Sequence, residues 1–238
     1  MRGWESLLRV LWVLGLGSAI AVGALAVSTT WGRVRRQKAN SLVTHLVMVG
    51  LATVAIYLAS GGRWSEYGLG MGTFHWSFTL LLWVLPTALL TIMQLAASRG
   101  HPSDSPHQLS PVQTVLRVWI VASVAEELLT RGLIQGLLAP LSTAGFRVGG
   151  ELVSVSILLA ALAFSAMHLV LVRKMGAKAA PVIGLTFLLG CVAGVYRQAT
   201  GSLIPAVIVH MLFNVGGTIP MWLTPRRARP QPRPAAET

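Results

Sequence analysis

The chain has 238 residues, 54% of them hydrophobic and only 11% charged, with a formal net charge of +12. A soluble domain carries about 25% charged residues, so this composition excludes an ordinary water-soluble fold and points to lipid. The positive charge does not indicate nucleic acid, because no polar stretch is long enough to fold as a binding domain.

Six stretches contain no Asp, Glu, Lys or Arg: Val10–Thr30, Ala39–Gly62, Tyr67–Ser98, Leu152–Val172, Ala179–Tyr196 and Gln198–Pro225. Each is close to the ~20 residues that a helix needs to cross a ~30 Å hydrocarbon core. A seventh segment, Pro111–Pro140, is equally apolar apart from charges near its middle. The expected fold is all-α: a polytopic transmembrane helix bundle of about seven spans.

In chain order, residues 1–98 are expected to hold three accessory helices, over Leu7–Thr30, Ser41–Ser60 and His75–Ala97. Met1–Arg9 resembles the charged leader of a signal peptide. The apolar run behind it leads straight into a basic cluster, so an uncleaved helix is expected. His45 and Gln94 have no polar companion on their own helices and are read as packing residues. Residues 99–110 are rich in Ser, Pro, His and Asp and predict an exposed loop. Residues 111–223 predict a four-helix core, over Pro111–Pro140, Glu151–Val172, Ala179–Gln198 and Ser202–Leu223. Within it, Gly132–Gly136 and Gly190–Gly194 have the spacing that lets helices approach closely. Pro86 and Pro205 are expected to kink their helices, while Pro181 sits near a helix start, where its missing N–H costs little. Cys191, the only cysteine, is read as a small buried hydrophobe. Residues 224–238 form a basic, Pro-rich tail, expected to be disordered and to touch anionic headgroups.

The basic residues alternate between connections as the positive-inside rule requires. Arg33, Arg35, Arg36, Lys38, Arg99, Arg173, Lys174, Lys178, Arg226, Arg227, Arg229 and Arg233 fall on one side. The alternate connections hold only Arg63, Arg147 and Arg197. The amino terminus is therefore expected outside and the carboxyl terminus in the cytoplasm.

Five of the seven acidic residues lie in loops, termini or helix ends. Glu126 and Glu127 instead stand together near the centre of an apolar helix, where a charge costs roughly 2.5–3.5 kcal/mol on insertion scales. Arg131 lies four residues beyond Glu127 and on its face, so these two pair. Glu126 is turned about 100° away and stays free to face a cavity. On the next helix Phe164 and His168 share a face, and on the last one His210 and Asn214 do. Each pair taken singly reads as interhelical polar packing, and Glu127–Arg131 as a structural ion pair. Together they supply a base for water and donors for an oxyanion, the groups that hydrolysis needs. A non-catalytic scaffold of the same fold is the alternative. A proton-coupled transporter is a weaker one, since internal repeats are absent from the sequence.

These motifs resemble the CAAX protease and bacteriocin-processing family, which includes the type II CAAX prenyl proteases. The resemblance rests on Glu126-Glu127-Leu-Leu-Thr-Arg131, Phe164-Ser-Ala-Met-His168 and His210-Met-Leu-Phe-Asn214, in that order and each in its own helix. Gly190 through Tyr196, Thr200-Gly201-Ser202-Leu203 and Pro205 are also similar to the family. What it implies is an all-helical intramembrane endopeptidase with its cavity open to the cytoplasmic side. The residue matching Glu126 activates water with help from the one matching His168, and those matching His210 and Asn214 stabilise the oxyanion. Glu127 and Arg131 position the helix, and a bacteriocin-immunity role is the family's non-catalytic variant. No cofactor is favoured, although Glu126, His168 and His210 would also make a His₂Glu zinc site with an open position for water. The expected partners are the bilayer and a membrane-associated protein or peptide substrate. With 16 Arg against 3 Lys, a bacterial plasma membrane is the expected location, and prenylated substrates are not favoured there.

Overall fold

A computed structural model describes residues 3–35, 40–73, 88–93, 109–148, 150–171 and 176–223 of the chain. Apart from one small hairpin, the described residues are mostly helical. Gln94, Pro86, most of the expected third helix, most of the 99–110 loop and the 224–238 tail lie outside the described residues. Of that third helix, 88–93 is helical.

Helix α1 (Gly3–Val34) buries Val13, Gly17, Ile20, Ala24 and Ser28 in one stripe and turns Trp4, Leu8, Trp12, Val22 and Trp31 outward. Apolar residues on the outside of a bundle need an apolar solvent, and the bilayer provides one. Helix α2 (Ser41–Ser60) starts at Asn40, whose side chain accepts from Leu42 N at 3.0 Å, and ends at Gly61 in the left-handed region (φ 55°). Its buried stripe, Met48, Ala52, Ile56 and Ser60, repeats every four residues and packs on α1 and on the helix that follows.

That helix, α3, runs from Pro111–Thr114 through Gln135–Leu137 without a break. It opens with a capping box, in which Ser110 and Gln113 satisfy each other's backbone N–H at 3.2 Å. It stops at Leu138, before Pro140, which cannot continue it. Two stretches, Val115–Ala122 and Leu128–Ile134, are π-helical and flank the α-helical turn Ser123–Glu127. Such widened turns collect at functional sites.

Between α3 and the next helix the expectation needs correction. Glu151–Ser154 was expected to begin a helix and is instead strand β2, antiparallel to β1 (Gly145–Val148), with Phe146 opposite Val153. The alternating β-branched run Leu152-Val153-Ser154-Val155 satisfies its backbone by hairpin pairing, and Ser154 then caps helix α4 (Val155–Met167). His168 therefore closes α4 and opens a 3₁₀ turn, His168–Leu171, rather than standing mid-helix. Helix α5 (Ala180–Thr200) carries Pro181 in its first turn and ends at Gly201 (φ 68°). Helix α6 is Ile204–Leu223. Pro205 is its second residue, where the N–H has no helical partner in any case, so it starts the helix and does not kink it.

Both glycine pairs lie at close helix contacts. A Cβ on Gly190 would stand 2.8 Å from the Ala161 Cβ, and one on Gly194 2.8 Å from Ile157 Cγ2. This is how α5 comes to lie along α4. Gly136 gives the same room to the Tyr67 ring, at 2.7 Å.

One end of the bundle is tied together by hydrogen bonds between its connections. Leu203 N donates to Gly68 O, Thr73 N to Thr200 O and Arg197 to Glu66 O, while Arg9 donates to Leu137 O. Three described helices are long and apolar enough to cross a membrane, Gly3–Val34, Ser41–Ser60 and Ala180–Thr200, with mean hydropathies of 2.3, 2.1 and 1.6 over an 18-residue stretch of each. Val155–Met167 and Ile204–Thr218 are apolar and shorter.

Candidate active site

The central turn of α3 carries both glutamates into the bundle. Thr130 Oγ1 donates to Glu126 O at 2.6 Å and accepts in turn from the Arg131 guanidinium. Glu127 and Arg131 are completely buried, with Glu127 Oε2 3.2 Å from Arg131 Nε. This is the ion pair expected from their spacing, although the two atoms are not aligned as a hydrogen bond. Arg131 also lies over the ring of Phe164 on α4, its Cζ 4.6 Å from the centroid. Desolvated contacts of this kind contribute about 2 kcal/mol. Gly190 makes room for the guanidinium, since a Cβ there would approach Arg131 Nη2 to 3.0 Å.

His210 of α6 links the two glutamates. Its Nδ1 donates to Glu127 Oε1 at 2.8 Å, and its Nε2 faces Glu126 Oε2 at 3.7 Å. The other oxygen of Glu126 meets a residue that its own helix gave no reason to single out: His45 Nε2, from α2, lies 3.4 Å from Oε1. His45 was read as a packing residue and instead joins the cluster. The available signal was that His45 is the one titratable side chain in the charge-free run Ala39–Gly62 apart from Tyr57. Glu126 keeps 16% of its side chain exposed, whereas Glu127 keeps none.

His168 sits beside this group. Its Nδ1 donates to Phe164 O at 2.9 Å, which leaves Nε2 as the acceptor nitrogen. The fully buried Phe164 ring stands edge-on to His168 at 4.9 Å and to His210 at 5.3 Å. Asn214, one turn beyond His210, donates from Nδ2 to Val118 O (3.2 Å) and Ser123 Oγ (3.1 Å), tying α6 to α3. All six residues of the expected site thus come from three helices that meet around Phe164 and the paired glutamates. Among the described residues no three His, Cys, Asp or Glu side chains are grouped closely enough to hold a metal ion.

Residues 108–216 match the family model described as type II CAAX prenyl endopeptidase Rce1-like. That region is similar to the Rce1-like domain of type II CAAX prenyl endopeptidases. It spans just under half of the chain and contains α3, α4, α5 and the site residues of α6. His45, on α2, lies outside it. No curated protein and no solved structure matches the chain. The family match and the apolar helices together point to an integral membrane protein.

Proposed function

We propose that this chain is an intramembrane endopeptidase that hydrolyses peptide bonds of membrane-associated proteins or peptides with water activated by Glu126. The observation that carries this reading is the division between adjacent carboxylates. Glu127 is closed off, neutralised by Arg131 and hydrogen-bonded by His210, while Glu126 remains partly open between two imidazoles. A structural ion pair needs only the first of these.

Glu126 takes a proton from water as the water oxygen bonds to the scissile carbonyl carbon. The Nε2 of His168 accepts the same water's hydrogen bond and aims it. The oxyanion so formed is stabilised by Nε2–H of His210 and by the amide of Asn214. For His210 this requires a proton on both nitrogens, since Nδ1–H is committed to Glu127. For Asn214 it requires exchanging one present acceptor, Val118 O or Ser123 Oγ, for the substrate oxygen. Glu126 then returns its proton to the amide nitrogen, the C–N bond breaks, and a carboxylate and an amine leave. No metal takes part in this sequence.

The cavity opens toward the cytoplasm in this reading, with the carboxyl terminus on that side. The family description makes a farnesylated CAAX peptide the first probe, and its unprenylated counterpart the second. The full chain in proteoliposomes should cleave at least one. Glu126→Gln should abolish cleavage while leaving the unfolding temperature unchanged, and full cleavage by that variant would overturn Glu126 as the base. A wild-type chain that cleaves neither peptide, with biological function retained in Glu126→Gln, would favour a scaffold or immunity protein.

A further inference from the structure

We propose that His45 is a positioning residue for the Glu126 carboxylate, so that the catalytic cluster extends beyond residues 108–216 onto accessory helix α2. This rests on the proteolytic reading above. The charge inventory is the first argument. A carboxylate inside a membrane bundle needs a partner, and the single guanidinium of the cluster, Arg131, is taken by Glu127 in full burial. Glu126 is left with imidazoles: His210 Nε2 faces Oε2 at 3.7 Å, and His45 Nε2 faces Oε1 at 3.4 Å.

Geometry is the second argument. His45 continues the buried stripe of α2, one turn before Met48 and in line with Ala52 and Ile56. The packing of α2 on α3 therefore sets where its ring stands. Its other nitrogen, Nδ1, is buried with no hydrogen-bond partner among the described residues, so the imidazole is aimed at Glu126 alone. With one imidazole on each oxygen, the carboxylate cannot swing freely about its last torsion, and the lone pair presented to water keeps one direction. A misplacement of about 1 Å at such a group costs roughly 10²-fold in rate.

The full chain in nanodiscs, with ¹⁵N-labelled histidine, tests the contact without any substrate. The Nε2 signal that disappears in His45→Gln belongs to His45, and Glu126→Gln should shift it. An unmoved signal overturns the proposal. Catalysis is then read on whichever of the two CAAX peptides the wild-type chain cleaves. His45→Ala should lower kcat about 10²-fold with KM within about twofold. His45→Gln should recover most of the loss, because the glutamine amide reaches the place of Nε2. Unchanged kcat in folded His45→Ala, or a loss confined to KM, overturns the proposal. A wild-type chain inert toward both the farnesylated and the unprenylated peptide would count against the proteolytic reading instead, and the nitrogen signal would still decide whether His45 holds Glu126.

Discussion

His210 Nδ1 lies 2.8 Å from Glu127 Oε1, so the imidazole proposed to meet the oxyanion is anchored by the carboxylate that does not meet water. Glu127 thereby holds two helices at once, its own through Arg131 and α6 through His210. Glu127→Gln should destabilise the protein by about 3–5 kcal/mol, because it leaves Arg131 buried without its charge partner. Combining Glu127→Gln with Arg131→Met should lose less than the sum of the single changes. Thermal unfolding of the four proteins checks this, and additive losses would mean that the pair is not coupled.

The α4–α5 contact leaves no space for a side chain at residue 190. Gly190→Ala would place a Cβ 2.8 Å from the Ala161 Cβ and 2.9 Å from its Cα, and would crowd Arg131 Nη2. The expected cost is about 1–3 kcal/mol, with a drop in activity because Arg131 and Glu127 move together. Ala161→Gly should restore part of the stability, and a Gly190→Ala protein as stable as wild type would contradict this packing.

The bundle end formed by Arg9, Glu66–Gly68, Leu137 and Arg197–Leu203 lies on the outer side in the orientation proposed here. A reporter active only outside the cytoplasm should give signal when inserted at residues 61–62 and none when fused after residue 238. The reverse pattern would turn the bundle over.

Metal-free hydrolysis predicts that active, purified protein carries no stoichiometric zinc and keeps its rate after chelation. About one zinc per chain, lost in His210→Ala and kept in Asn214→Ala, would show that a metal supplies the water instead.

The sequence carried the local parts of this site and lost those made by tertiary contact. Glu127 with Arg131, and His210 with Asn214, were legible because a helix places residues four apart on one face. The limits of α2, Ser41–Ser60, were legible because Asn40 and Gly61 cap it at the ends of an uncharged run. His45 was not, since its partner is 81 residues away on another helix and nothing within α2 points to it. The β1–β2 hairpin was hidden by the apolar run 152–172, which reads equally well as buried strand or helix when period alone is used. The two acceptors already held by Asn214 were likewise beyond reach, one being a backbone carbonyl on α3.

The central claim is that Glu126 activates the water that breaks the peptide bond. Cleavage in H₂¹⁸O of whichever CAAX peptide the chain accepts, farnesylated or unprenylated, read by mass spectrometry, tests it most directly. The wild-type chain should place one ¹⁸O in the new carboxyl terminus, and Glu126→Gln, at an unchanged unfolding temperature, should yield no labelled product. Labelled product from Glu126→Gln at the wild-type rate would contradict the account.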